Sequence, residues 1–252
     1  MVVLITGATS GIGKSAAIEF SKHGYDIIIT GRRQERLTEL KLHLAKNYYV
    51  NVKDLCFDVR DEQQVKTALD SLSEHYQNID VLINNAGLAA GLSSIQNGNT
   101  NHWNQMIDTN VKGLLYVSKY VSELMIKHKK GHIINIGSIA GKEVYANGNV
   151  YCATKHAVDA LSKAMRIDLL THGIKVSAIN PGMVETEFSI VRFDGDEERA
   201  KKVYENMIPL KPEDIAETIY WVASRPAHVN VNDILIMPTV QANATTVNRH
   251  SN

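Results

Sequence analysis

The sequence predicts an α/β fold, an open parallel sheet with helices on both faces. Three observations carry that expectation. Short apolar runs alternate with amphipathic stretches of helical length. The first apolar run ends in a glycine-rich turn that opens a helix. No linker, composition break or internal repeat divides the 252 residues, so one domain, 1–252, is expected.

The elements follow in order. Runs rich in Val, Ile and Leu predict strands over Val2–Thr6, Asp26–Thr30, Val52–Phe57, Val81–Asn84, His132–Ile136 and Lys175–Ile179, with a weaker one over Asp233–Met237. Near-continuous apolar runs suit strands covered on both faces. Helical spacing places helices over Ile12–Lys22, Glu35–Ala45, Glu62–His75, Trp103–Lys127 and Val150–Leu170. Right-handed crossovers then send helices to both faces. Two stretches break the alternation. A segment at about 187–212, charged at Arg192, Asp194, Asp196, Glu197 and Glu198, has the position of a substrate lid. The polar tail at about 239–252 is expected to be a frayed terminus or an arm on a neighbouring subunit.

Composition excludes several partners. Lys and Arg number 27, Asp and Glu 27, and the net charge is zero, which counts against a nucleic-acid binder. Hydrophobic residues make up 44% and charged residues 21%, ordinary for a globular protein. No apolar run approaches the ~20 residues of a membrane span. Met1 runs straight into the expected first strand, so no signal peptide is expected. Cys56 and Cys152 are too far apart for a zinc or disulfide framework, so a reduced, cytoplasmic protein is expected. The ten histidines form no metal-ligand array, and no metal is expected.

The first strand ends in Thr6-Gly7-Ala8-Thr9-Ser10-Gly11-Ile12-Gly13. Gly7 allows the tight turn, Gly11 lets backbone approach a pyrophosphate, and Gly13 lets helix and strand pack closely. The helix N-terminus points free N–H groups at phosphates. The second strand runs into Gly31-Arg32-Arg33, where an NAD site would place a carboxylate. Two guanidiniums pair instead with a 2′-phosphate, so NADP is expected; the alternative is a pair of solvated arginines.

Tyr151 and Lys155 stand at i and i+4 on one helix face. A nearby cation lowers a phenol toward working pH and makes it a general acid/base. Tyr49 and Lys53 share the spacing but lie at the opposite edge of the sheet, and that match is read as chance. Ser138 follows the fifth strand, Asn84-Asn85-Ala86-Gly87 the fourth, and Pro181-Gly182 the sixth, all at C-terminal strand ends where ligands bind in open parallel sheets.

Taken together, the Thr6–Gly13 loop, Asp58-Val59, Asn84–Gly87, Asn110, Ser138, Tyr151 with Lys155, and Pro181-Gly182 with Thr186 resemble the short-chain dehydrogenase/reductase family over the whole chain. The resemblance implies a doubly wound Rossmann sheet of seven strands and, usually, a tetramer or dimer. It implies that Tyr151 is the proton donor and acceptor. Lys155 would tune it and bind the nicotinamide ribose, Ser138 would hydrogen-bond the substrate oxygen, and Asn110 would support a relay water. Thr9, Ser10 and Ile12 would join the glycines around the phosphates. Asp58 and Val59 would hold adenine, Asn84 and Ala86 the ribose, and Val184 and Thr186 the carboxamide.

Three further stretches, 106–116, 185–193 and 226–232, are similar to the NADP-dependent 3-hydroxy acid dehydrogenases, a subgroup with L-allo-threonine and serine dehydrogenases. The loop Ala146-Asn147-Gly148-Asn149 departs from the subgroup's pattern at Asn147, where the pattern has glycine. Arg192 is the candidate for a substrate carboxylate, the alternative being a surface pair with Asp194 or Asp196; Tyr145 is a second candidate for that pocket. Other activities remain open: a 3-oxoacyl-carrier-protein reductase, a broad carbonyl reductase, or a non-catalytic NADP-binding sensor.

Overall fold

The computed structural model describes residues 1–249. Seven parallel strands form one sheet in the order β3-β2-β1-β4-β5-β6-β7. They are β1 Val2–Ile5, β2 Asp26–Gly31, β3 Val52–Cys56, β4 Ile79–Asn84, β5 Gly131–Ile136, β6 Ile174–Pro181 and β7 Asp233–Ile236. The order reverses at β1, which leaves a crevice outside the strand ends between β1 and β4.

Alternation along each strand builds two cores. Val3 and Ile5 of β1, with Ile27, Ile29, Val81 and Ile83, face one helical layer. That layer is α1 Gly11–Lys22, α2 Gln34–Tyr48 and α10 Pro212–Ala223, through Phe20, Leu37, Leu44 and Ile219. Val2, Leu4, Ile28 and Leu82 face the other layer. It contains α3 Glu62–Asp70, α6 Leu114–His128 and α7 Asn149–Asp168, through Val65, Val121 and Met165.

Two predicted helices are interrupted. The Glu62–His75 stretch divides into α3 and a short α4, Glu74–Gln77. The Trp103–Lys127 stretch divides into α5, Thr100–Ile107, and α6 around a π turn, Asp108–Gly113. Gly113 comes so close to Val59 that a Cβ there would lie 2.8 Å from its methyl group. The lid-like segment carries α8, Phe188–Arg192, and α9, Glu197–Lys202.

The tail corrects its expectation. Through Arg249 it does not fray. Ala242 N–H bonds to Thr246 C=O at 3.0 Å and Asn248 N–H to Val240 C=O at 2.8 Å, and the loop so formed folds back on its own chain. Residues 250–252 lie outside the described residues. Tyr49 is exposed beyond α2, in left-handed backbone, outside the cleft that holds Tyr151.

Candidate active site

The C-terminal strand ends open into one cleft of about 740 Å³. Its floor is the glycine loop. Thr6 Oγ1 accepts from the Asn85 and Ala86 N–H groups at 3.0 and 2.9 Å, which ties the loop to the end of β4. Gly7, Thr9, Ser10, Gly11 and Ile12 line the cleft. Gly11 has φ +50°, and a Cβ there would press on Thr186 at 3.2 Å. Gly13 lies beneath the loop, not in the wall. A Cβ there would meet Gly7 O at 2.5 Å, so its part is the close packing that the spacing predicted.

At one end stand Arg32 and Arg33, both more than a third exposed. Arg33 donates to Thr9 Oγ1 at 3.0 Å. Sequence reasoning missed two neighbours. Arg36, one helical turn on, donates to both Glu187 oxygens at 3.0 and 2.9 Å, and Glu187 lies 3.8 Å from Arg33. The i, i+3 spacing of Arg33 and Arg36 was the available signal. Asp58 and Val59 line the same end. Burial raises the Asp58 carboxyl, but hydrogen bonds from Arg60 outweigh that and hold it below the usual range.

Asn84 is a correction. Its side chain is buried behind the cleft, donating to Ser118 Oγ at 2.8 Å and Asn135 Oδ1 at 2.9 Å. Neighbouring strand residues point to opposite faces, so the cleft-facing asparagine is Asn85, followed by Ala86 and Gly87.

At the other end Ser138, Tyr151 and Lys155 meet. Ser138 Oγ accepts from the Ala140 N–H at 3.1 Å. The Lys155 ammonium donates to Ile136 O at 2.9 Å, and burial pushes it down to about 8. The expected depression of Tyr151 is not produced by the protein groups. Burial, with Tyr145 adding, pushes the phenol upward against the opposing pull of Ser138 and Arg192. Asn110 does not line the cleft. It is 2% exposed in the π turn, bonding both Leu88 backbone groups at 2.8 Å and Thr154 Oγ1 at 3.0 Å. It still stands close to the catalytic end: a Cβ on Gly87 would lie 3.3 Å from Asn110 Oδ1 and 3.6 Å from Lys155 Nζ.

The facing wall is Pro181, Gly182, Val184 and Thr186, joined by Gln241 and Ala244 of the tail, which sequence reasoning missed. Arg192 turns inward. It donates to Gly91 O at 3.3 Å and to Tyr145 Oη at 3.1 Å, and its guanidinium stands 5.7 Å from the Tyr151 ring centre. Asp194 instead approaches His102 at 3.6 Å. Asn147 adopts φ +66°, a left-handed conformation that asparagine tolerates better than most residues, so it can stand where the subgroup has glycine.

The cleft fits a dinucleotide. Its floor is a glycine cradle at a helix N-terminus, and cations stand at one end. Two buried wall hydroxyls, Thr30 Oγ1 and Thr109 Oγ1, have no hydrogen-bond partner among the described residues. Among the described residues no group of three or more His, Cys, Asp or Glu could hold a metal ion.

Comparison with known proteins agrees with this geometry. The family described as short chain dehydrogenase matches residues 1–197. An Escherichia coli (strain K12) protein named NADP-dependent 3-hydroxy acid dehydrogenase YdfG is 46% identical over 245 residues, 97% of each chain. Sulfoacetaldehyde reductase 2 of Chromohalobacter salexigens is 44% identical over 242 residues, 96% of this chain and 95% of that one. A structure described as the closed form of serine dehydrogenase complexed with NADP+ superposes with a TM-score of 0.92 at 45% identity, covering 100% of both chains. With sheet order, cleft and whole-length similarity in agreement, the chain belongs to the short-chain dehydrogenase family.

Proposed function

We propose that the protein is an NADP-dependent oxidoreductase that reversibly oxidises the 3-hydroxyl of small 3-hydroxy acids such as L-allo-threonine, serine or 3-hydroxypropionate. The observation that carries the reading is Arg192. Its guanidinium faces the cleft beside Tyr151, and among the described residues no carboxylate lies within ion-pair distance. A substrate carboxylate is the natural partner for such a fork. The relatives named above supply the reaction class.

Gly7, Thr9, Ser10, Gly11 and Ile12 would hold the diphosphate, Arg32 and Arg33 the 2′-phosphate, and Asp58 and Val59 the adenine. Ala86 would meet the ribose, and Pro181, Gly182, Val184 and Thr186 the nicotinamide. When bound, the nicotinamide supplies hydride exchange. The protein handles the proton and the geometry. Burial keeps the Tyr151 phenol neutral, the form that donates a proton to a carbonyl oxygen; in the oxidative direction the base is the phenolate, which must first have released its proton and then takes the one the alcohol gives up. Ser138, which lines the same end of the cleft, would orient the reacting oxygen. Lys155 places its ammonium at the same end, and Asn110 holds the Leu88 loop beside it. Arg192 and Tyr145 would fix the carboxylate so that the hydroxyl carbon faces the nicotinamide.

Two further readings belong here. The enzyme is a homotetramer, for which the family resemblance and exposed Trp221, Leu235, Ile167 and Leu170 are the support; sedimentation velocity tests it. Its location is the cytoplasm, supported by two unbridged cysteines.

The deciding assay offers purified protein NADP with L-allo-threonine, L-serine, 3-hydroxybutyrate and 3-hydroxypropionate, and NADPH with an acetoacetyl thioester. Turnover of hydroxy acids is expected. Activity on the thioester alone would make it an oxoacyl reductase, and no activity on any of them would leave a binding protein.

A further inference from the structure

The segment after β7 carries one side chain built into the cleft wall. Gln241 is 5% exposed. Its Oε1 accepts the Met183 N–H at 2.8 Å, and its Nε2 donates to Asn243 O at 3.1 Å. Met183 is held from the other side as well, its C=O accepting the Leu210 N–H at 3.0 Å. Gly182 donates to Ile236 O at 2.8 Å. The fit is close: a Cβ on Gly182 would stand 2.5 Å from Gln241 Oε1. Gln241, Gly182 and Met183 all line the cleft, as Tyr151 does.

We propose that Gln241 is a positioning residue for the nicotinamide end of the coenzyme, acting through the Met183 N–H. It holds the Gly182–Val184 strip in place, and that strip sets the depth at which the nicotinamide rests against Ser138 and Tyr151. The inference rests on the dinucleotide reading of the cleft. The segment that carries Gln241 is shaped for the task. Asn243 Oδ1 accepts from the Thr245 and Thr246 N–H groups at 2.9 and 2.7 Å, which closes a turn and sends the chain back past Gln241. A carboxamide serves here because one oxygen must accept from Met183 while one nitrogen donates to Asn243. An apolar substitute leaves the part-buried Met183 N–H without this partner and frees the strip to shift.

The test compares wild type, Gln241→Leu and Gln241→Glu. Affinities for NADPH and for 2′,5′-ADP, which lacks the nicotinamide half, are measured with kcat and a thermal melt. Gln241→Leu is expected to weaken NADPH by about tenfold or more and to lower kcat, while 2′,5′-ADP affinity stays at the wild-type value. Gln241→Glu, whose carboxyl oxygen still accepts from Met183 but which loses the donor to Asn243, is expected to recover part of both. Equal losses on the two ligands would mean general destabilisation and overturn the proposal. So would wild-type NADPH affinity and kcat in Gln241→Leu, or a Gln241→Glu protein as impaired as Gln241→Leu. Wild-type protein that fails to bind NADPH overturns the dinucleotide reading itself, and this inference with it.

Discussion

Replacing Lys155 by methionine is expected to remove activity and to leave the fold more stable at neutral pH. Lys155 is 7% exposed. Burial pushes its ammonium from an ordinary 10.5 down to about 8. At about 1.4 kcal/mol per pH unit, keeping that charge in the folded protein costs on the order of 3 kcal/mol at pH 7. The opposing loss is the Ile136 carbonyl, which accepts from Lys155 at 2.9 Å; leaving it unpaired costs about 1–3 kcal/mol. Methionine fills much of the same volume without a charge. The balance favours the variant by about 1 kcal/mol, roughly 2–4 °C in Tm for a chain of this size. The effect depends on pH. Between about 8 and 10.5 the unfolded chain holds the proton that the folded protein has released, so wild-type stability rises across that window. The variant's advantage is therefore largest below pH 8 and fades toward pH 10.5. Urea and thermal unfolding of both proteins at pH 7 and pH 10, with turnover measured alongside, decide it. A variant less stable than wild type at pH 7 would refute the claim that desolvation dominates at this ammonium.

Four other outcomes are expected. Arg32→Asp with Arg33→Ala shifts the NADP/NAD ratio of kcat/KM by about tenfold or more, since charge-assisted contacts of about 1.5–3 kcal/mol are lost; unchanged selectivity removes these residues from the phosphate site. Arg192→Met raises KM for hydroxy acids and spares neutral carbonyls, whereas equal losses on both classes end its role as carboxylate partner. Tyr151→Phe lowers kcat by about 10²–10⁴-fold; near-wild-type turnover would sink the proton-transfer mechanism. His132, buried with Nε2 against Ser177 Oγ at 2.8 Å, is pushed down to about 3, by burial first and Lys175 second. Below about pH 6.5 the unfolded chain gains a proton that the folded protein refuses, so stability falls as pH drops toward 3. His132→Gln flattens that fall in urea melts at pH 7 and pH 4, and identical slopes would contradict the assignment.

Local signals carried most of the fold. The apolar runs mark strands because a parallel sheet covered on both faces needs apolar residues on both. Val2 and Leu4 go to one core and Val3 and Ile5 to the other by alternation alone. The glycine turn was legible because its spacing reports backbone constraints within a few residues. Interruptions were less legible. The π turn at Asp108–Gly113 brings Gly113 against Val59, a contact that no periodicity within the helix records.

The sequence by itself determined the sheet, the edge of the sheet where the cleft opens, and that Ser138, Tyr151 and Lys155 line it. Spacing along one helix or at one strand end is enough for those. Only the tertiary structure decided that Arg192 faces inward, that Asn85 replaces Asn84 in the wall, and that burial, not Lys155, sets the Tyr151 phenol in the protein alone. It alone turned a polar tail into part of the cleft, through a hydrogen bond between residues 58 positions apart. The physical reason is common to all four. Orientation and desolvation depend on which distant segments pack together, and a polar side chain carries no local mark of the partner it will find.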